Sequence, residues 1–304
     1  MHVEHDGAVK VGLIGLGNAG QAMLRPLAAR FQVHVYDRDA AKLANLGTTT
    51  GHAPHVADSI SDLAANSDVI ILSLPTPAAS ISVAQQLKDV VGPGKTILET
   101  STVRPEDVEA IHEICGVTGA RVVDAAVIGG VHKLADGRGV FLAGVSEEEA
   151  GAVGTILKAM SEELFFLGAR GNGMRAKLVA NSVSHTAYIL LVEAAAIAAA
   201  QNIPMDVFYR LMERESGLMR PLTHRFGERL RNHDFEGGMS TTNACKDSAL
   251  VIDAAQKLGV PLFAIQATHA VYEIAAREGL ANKDYASIGC LWEKWLDVSF
   301  KKGG

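Results

Sequence analysis

The chain has 304 residues, 48% of them hydrophobic and 20% charged, with a formal net charge of -6 at neutral pH. This suits a globule long enough for two domains whose cores need no metal or disulfide, and it excludes a disordered chain. The acidic balance and the lack of any Lys/Arg run exclude a nucleic-acid partner, and three widely spaced cysteines without a CxxC exclude a disulfide framework and point to the cytoplasm.

The N-terminal "MHVEHDGAVK" has neither the charged start nor the apolar core of a signal peptide and is read as a short tail. His2 and His5 within it are poor metal ligands, because a fraying end does not pre-organise them. From there to about residue 168, strand candidates alternate with amphipathic helical stretches. The strands are "VKVGLIG", "VHVYD", "DVIILSL", "KTILET", "RVVDAAV", "GVFLAG" and "ELFFLG", and the helices fall at 18–30, 77–91, 105–116 and 147–160. Such alternation predicts crossover units and a mostly parallel sheet. "SISD" at 59–62 has the pattern of a capping box opening a short helix.

After "GARGNG" the strand signals stop, and helices follow, broken at "QNIP", "ESG", "GG" and "LGVP". The expected fold class is therefore α/β: a Rossmann-type, doubly wound domain over 1–168, then an all-helical domain over 169–304. The apolar stretch "LVANSVSHTAYILLVEAAAIAAA" contains Asn181, His185 and Glu193, and its uncharged part is shorter than a bilayer span requires. It is read as a central helix buried on nearly all sides, with no membrane partner.

The segment "VGLIGLGNAGQAMLRPL" places Gly15, Gly17 and Gly20 in G-x-G-x-x-G spacing between a predicted strand and a predicted helix, with Leu16, Asn18 and Ala19 filling the loop. The first glycine permits the tight turn, the second lets backbone approach a pyrophosphate, and the third lets helix and strand pack closely. The helix N-terminus then offers amides and a positive dipole end to the phosphates. Asp37 ends the next strand, where a carboxylate accepts from both ribose hydroxyls and repels a 2′-phosphate, so NAD is favoured. Arg38 beside it keeps NADP open, since an arginine there pairs with that phosphate.

At this point the chain resembles the β-hydroxyacid dehydrogenase family nearly end to end. "GLGNAGQAM" is similar to the family's glycine loop, "SLPTP" to its Leu-Pro loop, and "ETSTVRP" to its Ser-Thr turn beside the nicotinamide. "DAAVIGG" resembles the D-A-P-V-S-G-G substrate loop, "GNGMRAKLVAN" the catalytic signature, and "NHDFEGGMSTTNACKDSAL" the C-terminal Lys-Asp motif. The resemblance implies that Lys177 is the catalytic acid/base and that Asn181 orients the substrate. It implies Thr102 and Lys246 at the nicotinamide end, Leu74 and Pro75 along the cofactor, and Gly129 and Gly130 at the substrate carboxylate. It also implies a helical second domain that builds a homodimer or homotetramer.

Elementary chemistry agrees with the assignment of Lys177. Residues 177 and 181 are an i, i+4 pair, so both side chains leave one helical face. Oxidising an alcohol by hydride loss requires removal of the hydroxyl proton, and a lysine whose pKa is lowered by burial or by a nearby cation takes it. Asn181 donates and accepts, and so fixes either the lysine or the substrate oxygen. A solvated helix-surface lysine is the alternative.

The pattern is departed from at three positions. Ile128 stands where the family has serine, Ala126 where it has proline, and Met239 where it often has an aromatic residue. Isoleucine cannot donate to a carboxylate, so one element of the acid clamp is missing, and a bulkier or less polar group beside Ile128 is expected. Arg104 and His132 are candidates to replace the lost contact. His185 either faces the cavity or is a hydrogen-bonded core histidine. Asp247 orients Lys246 or a substrate hydroxyl, or is a charge in a helix's first turn, while Trp292 and Trp295 pack a core or a subunit contact.

The function expected is an NAD-dependent oxidoreductase interconverting a small 3-hydroxy acid and its semialdehyde or ketone, without metal. Two rivals are an NADPH-dependent imine reductase of similar architecture, whose members lack the family lysine, and a non-catalytic dinucleotide-binding module.

Overall fold

The computed structural model describes residues 9–44, 46, 53–214 and 219–302. The N-terminal tail with His2 and His5 and the break at "ESG" lie outside the described residues. The chain divides into two compact units, Met1–Asn181 and Ser182–Gly304.

The first unit is built on a sheet of eight strands: β1 (Lys10–Ile14), β2 (Gln32–Tyr36), β3 (His55–Val56), β4 (Val69–Leu72), β5 (Thr96–Glu99), β6 (Arg121–Ile128), β7 (Gly139–Ala143) and β8 (Ser161–Phe166). Their order is β3-β2-β1-β4-β5-β6-β7-β8, parallel throughout except for the antiparallel pair β6–β7. Between them run α1 (Asn18–Ala28), α2 (Ala40–Ala44), α3 (Ile60–Ala65), α4 (Pro77–Leu87), α5 (Pro105–Cys115), α6 (Val131–Ala135) and α7 (Glu147–Met160). The seven strands expected from the sequence are present; the two-residue β3 has too little pattern to be seen there.

Every residue of β4 is buried, as a parallel strand covered on both faces requires. Its side chains alternate between two cores: Ile71 joins Val11, Val35, Met23 and Leu157 on one face, while Ile70 and Leu72 join Leu63, Leu87, Ile97 and Ile111 on the other. Half of the expected capping box forms at α3. Ser59 Oγ accepts from Asp62 N at 3.0 Å, but the Asp62 carboxylate takes the N–H of Asp58 at 3.1 Å.

Helix α8 (Asn172–Ala200) crosses the division, so its first turns, with Lys177 and Asn181, belong to the first unit. The second unit continues through α9 (Met205–Glu213), a wide helical segment Pro221–Arg229, α10 (Thr241–Lys257), α11 (Ala264–Ala275) and α12 (Gly289–Leu296). Glu193 fixes α8 within it. This buried carboxylate accepts from Phe263 N at 2.7 Å and Ala264 N at 2.9 Å, at the N-terminus of α11, where a negative charge answers the orphan amides.

The expectation that α8 is buried on nearly all sides is corrected. Its length and composition would allow it to cross a membrane, with a mean hydropathy of 1.6 over eighteen residues, yet only 11% of that window is buried. Val183, Tyr188 and Val192 are exposed, as is His185, which is not a core histidine in this chain. Its apolar residues fall on every side, and beyond its first turn, where Gly173 and Met174 are buried, one chain buries only Glu193 and Ala198. Trp292 and Trp295 are partly exposed too, with ring centroids 5.3 Å apart.

Candidate active site

The carboxyl ends of the parallel strands carry the loops singled out in the sequence, where open α/β sheets bind ligands. The strand order reverses between β1 and β4, and loops follow both. Gly15 has φ +98°, and a Cβ there would stand 2.2 Å from the Ser73 carbonyl oxygen. A Cβ on Gly20 would stand 2.0 Å from the Gly15 carbonyl oxygen. Gly17 differs: its Cβ would meet nothing within 4 Å. The turn and the helix packing therefore require two glycines, and the third leaves open space for a ligand's backbone approach.

Helix α1 begins at Asn18 with no side-chain cap. The N–H groups of Asn18, Ala19 and Gly20 fall among the orphan donors of its first turn, so the residues present fit a dinucleotide pyrophosphate. Leu16 shapes the loop from within: its side chain is fully buried, its N–H donates to Asp37 Oδ2 at 2.7 Å, and its carbonyl accepts from Gln21 Nε2 at 3.2 Å.

Asp37, at the end of β2, is buried. Burial opposes its ionisation, but the N–H groups of Leu16 and Asp39 and the Lys42 ammonium, 3.3 Å away, outweigh that and hold the carboxyl below its usual range. Arg38 is exposed. Lys42 on α2 was not singled out in the sequence, although it lies one helical turn beyond Arg38.

The loops after β4 and β5 are tied together. Leu74 N donates to Ser101 Oγ at 2.8 Å, and Ser101 N donates to Glu99 Oε1 at 2.7 Å. Glu99 is wholly buried, and burial, reinforced by the Asp124 carboxylate, pushes its carboxyl up to about 7. Pro75 and Thr102 flank these contacts and stay exposed. Arg104 is taken up by Asp107, with Nη2 to Oδ1 at 2.8 Å, while the same carboxylate accepts from Arg104 N at 2.8 Å and so caps the start of α5.

Strand β6 brings the lysine in. Lys177 Nζ donates to the main-chain carbonyl of Val127 at 2.6 Å, across fifty positions of sequence. Burial lowers the Lys177 pKa from the usual lysine value. Half-buried Ile128 follows Val127 directly, then exposed Gly129 with φ +100° and Gly130. Asn181, one turn after Lys177 on α8, is half-buried. The structure thus gathers Lys177, Val127 and the 128–130 loop. The remaining candidates belong to the second unit. Lys246 and Asp247 lie side by side on α10, Nζ to Oδ1 3.2 Å, and Asp247 is past that helix's first turn. Met239 precedes α10, its carbonyl accepting from Tyr285 N at 2.9 Å.

Comparison with known proteins agrees with this geometry. The family model described as the NAD binding domain of 6-phosphogluconate dehydrogenase matches residues 10–168. That described as NAD-binding of NADP-dependent 3-hydroxyisobutyrate dehydrogenase matches 171–291. Mitochondrial 3-hydroxyisobutyrate dehydrogenase of Drosophila melanogaster is 30% identical over 95% of this chain and 90% of its own. The chain belongs to the β-hydroxyacid dehydrogenase family. As a β-hydroxyacid dehydrogenase it is an oxidoreductase that acts on CH–OH groups and uses NAD(P). NAD-dependent L-serine dehydrogenase of Pseudomonas aeruginosa is 27% identical over 93% of this chain and 98% of its own. The imine reductase structure from Pseudomonas sp. shares the fold, with a TM-score of 0.82 at 22% identity over 93% of this chain and 99% of that one.

Sequence reasoning gave no role to four groups that the structure brings into contact with the residues it singled out or with the start of α8: Lys42, Ser101, Asp124 and the Val127 carbonyl. Lys42 had a signal in its spacing from Asp37 and Arg38. Ser101 and Asp124 stood inside quoted motifs without an assigned role. A backbone carbonyl has no side-chain signature at all.

Proposed function

We propose that this dehydrogenase interconverts a small 3-hydroxy acid and its semialdehyde or ketone, with Lys177 as acid/base and Asn181 orienting the substrate oxygen. The single observation that carries this reading is the Lys177 ammonium, drawn out of water and anchored on Val127, one residue before the loop of Ile128, Gly129 and Gly130. In oxidation the neutral amine takes the hydroxyl proton as the carbinol carbon gives up a hydride; in reduction the ammonium returns the proton to the carbonyl oxygen. The nicotinamide, when bound, supplies the hydride acceptor or donor. Gly129 and Gly130 present amides to the substrate carboxylate. Thr102 and Lys246 serve the nicotinamide end, Leu74 and Pro75 the length of the cofactor, and Met239 and Asp247 the substrate.

NAD is the preferred cofactor, supported by the buried Asp37 carboxylate. The substrate carries an apolar group at C2, supported by half-buried Ile128 beside the lysine's anchor. Steady-state kinetics on L-serine, 3-hydroxyisobutyrate and longer 2-alkyl 3-hydroxy acids, each compared with Lys177→Ala, tests both points. Preference for the smallest and most hydroxylated acid would remove the substrate assignment, and turnover unaffected by the substitution would remove the mechanism.

The chain acts as a homo-oligomer, a second copy covering the exposed apolar side of α8. Supporting this over a lipid environment, Glu193 on the same helix is committed to the N-terminus of α11. A cytoplasmic location is proposed from the three cysteines, all free.

A further inference from the structure

Asp124 stands three residues before Val127 on β6 and is fully buried. Its Oδ1 accepts from Gly171 N at 2.6 Å and its Oδ2 from Met174 N at 2.9 Å, so one side chain answers two amides around the start of α8. Neither donor is near it in sequence, with separations of 47 and 50 residues.

The surroundings leave room for this carboxylate and little else. A Cβ on Gly144 would stand 2.0 Å from Asp124 Oδ1, and one on Gly173 would stand 2.8 Å from Oδ2 and 2.2 Å from the Leu142 carbonyl oxygen. Bare backbone on both sides is what allows the helix to seat directly on the strand. Lys177 lies three residues beyond Met174, and its Nζ reaches back to the same strand at Val127. The first two turns of α8 are therefore held to β6 at both ends, backbone by Asp124 and ammonium by Val127. Charge-assisted bonds from N–H groups to a carboxylate are short and directional, so a helix end held by two of them has little freedom to slide.

We propose that Asp124 is a positioning residue for the reaction: by gripping the start of α8 it sets where the Lys177 ammonium stands relative to the reacting oxygen. This rests on the reading of Lys177 as acid/base. Asp124 itself touches neither substrate nor cofactor and acts only through the helix. Asparagine in its place keeps the shape but turns one amide donor toward the other N–H groups, so one grip is lost and a like dipole is introduced.

A double-mutant cycle on the full-length enzyme tests this, with 3-hydroxyisobutyrate and L-serine as probe substrates and NADH and NADPH binding followed by fluorescence. Asp124→Asn is expected to lower kcat by about a hundredfold, the cost of an ångström-scale misplacement of a catalytic group. The dinucleotide Kd should stay within about twofold, and the same substitution should cost little more than about threefold in a Lys177→Ala background, because residues acting as one unit are not additive. Equal losses in both backgrounds, or a Kd that weakens in step with kcat, would overturn the proposal. If Lys177→Ala alone keeps full turnover, the acid/base reading fails and the positioning role goes with it; additive losses with a slowed but measurable Lys177→Ala sink the positioning role only. Should Asp124→Asn not yield folded protein, Gly144→Ala, whose methyl meets first the Asp124 side chain rather than backbone, displaces the carboxylate instead, and the same cycle decides with it.

Discussion

The ammonium of Lys177 and the carbonyl oxygen of Val127 lie 2.6 Å apart, joining a helix to a strand fifty residues earlier. Because burial disfavours the charged amine, its folded pKa lies below the ordinary 10.5, and the neutral base is available at lower pH than for a solvated lysine. For alcohol oxidation, kcat/KM should rise with pH to a plateau whose midpoint lies under 10.5, and the reduction rate should fall across the same interval. Lys177→Ala should remove the ionisation from the profile and lower kcat by roughly a hundredfold to ten-thousandfold. A profile of unchanged shape in that variant would contradict the assignment.

Gly17 and Gly20 separate folding from binding. With nothing within 4 Å of its Cβ position, Gly17→Ala should leave stability within about 1 kcal/mol, the cost of a poorer helix N-cap, while the dinucleotide Kd weakens at least about tenfold. Gly20→Ala drives a methyl against the Gly15 carbonyl and should cost several kcal/mol, by the order expected for overpacking against backbone. Thermal melts with NADH titrations on the two variants check this; loss of fold in the first would count against an open cradle.

Lys42 stands 3.3 Å from Asp37 and partly offsets its charge. Without Lys42, the carboxylate faces the ribose uncompensated, so Lys42→Ala should weaken NADP binding more than NAD binding, by roughly threefold to tenfold for an ion pair of partial exposure. Binding titrations with both cofactors decide it, and equal effects on the two would detach Lys42 from cofactor choice.

Glu99 makes stability depend on pH. Its folded pKa of about 7 lies above the 4.5 of the unfolded chain, so the folded state holds the proton that the unfolded state releases between those values. Stability is complete below pH 4.5 and declines as pH rises through 7, by roughly 3 kcal/mol for a shift of this size. Glu99→Gln keeps an acceptor for Ser101 N and does not ionise. Its advantage over the wild type in chemical denaturation should be absent at acid pH, grow toward 7 and level off above it. A difference independent of pH would show that Glu99 does not carry this titration.

Tyr188 and Val192 on α8 are exposed, at 67% and 48%. If a second copy covers this side, Tyr188→Glu with Val192→Glu should convert a dimer or tetramer to monomers in sedimentation velocity. An unchanged mass, or a wild type that is itself monomeric, would refute the assembly, and recruitment to lipid vesicles would point to the other environment for an apolar helix.

Much of the first unit was legible because its signals are local. The β-branched runs ending in Ile14, Leu72 and Glu99 announce buried parallel strands, and Gly15, Gly17 and Gly20 announce the turn between β1 and α1. The second unit was legible only as helices. The apolar residues of α8 fall on every side of it, so its periodicity could not say which side the chain itself packs, and burial was expected where exposure was found.

Sequence alone determined the alternation of strand and helix, the glycine turn, and the shared helical face of Lys177 and Asn181, because each depends on backbone preference and spacing within a few residues. Tertiary structure decided that Asp124 grips the start of α8, that Val127 receives the Lys177 ammonium, and that Glu99 is sealed from water. These contacts depend on which strands become neighbours and on how far water is excluded around them, and no short window of residues encodes either.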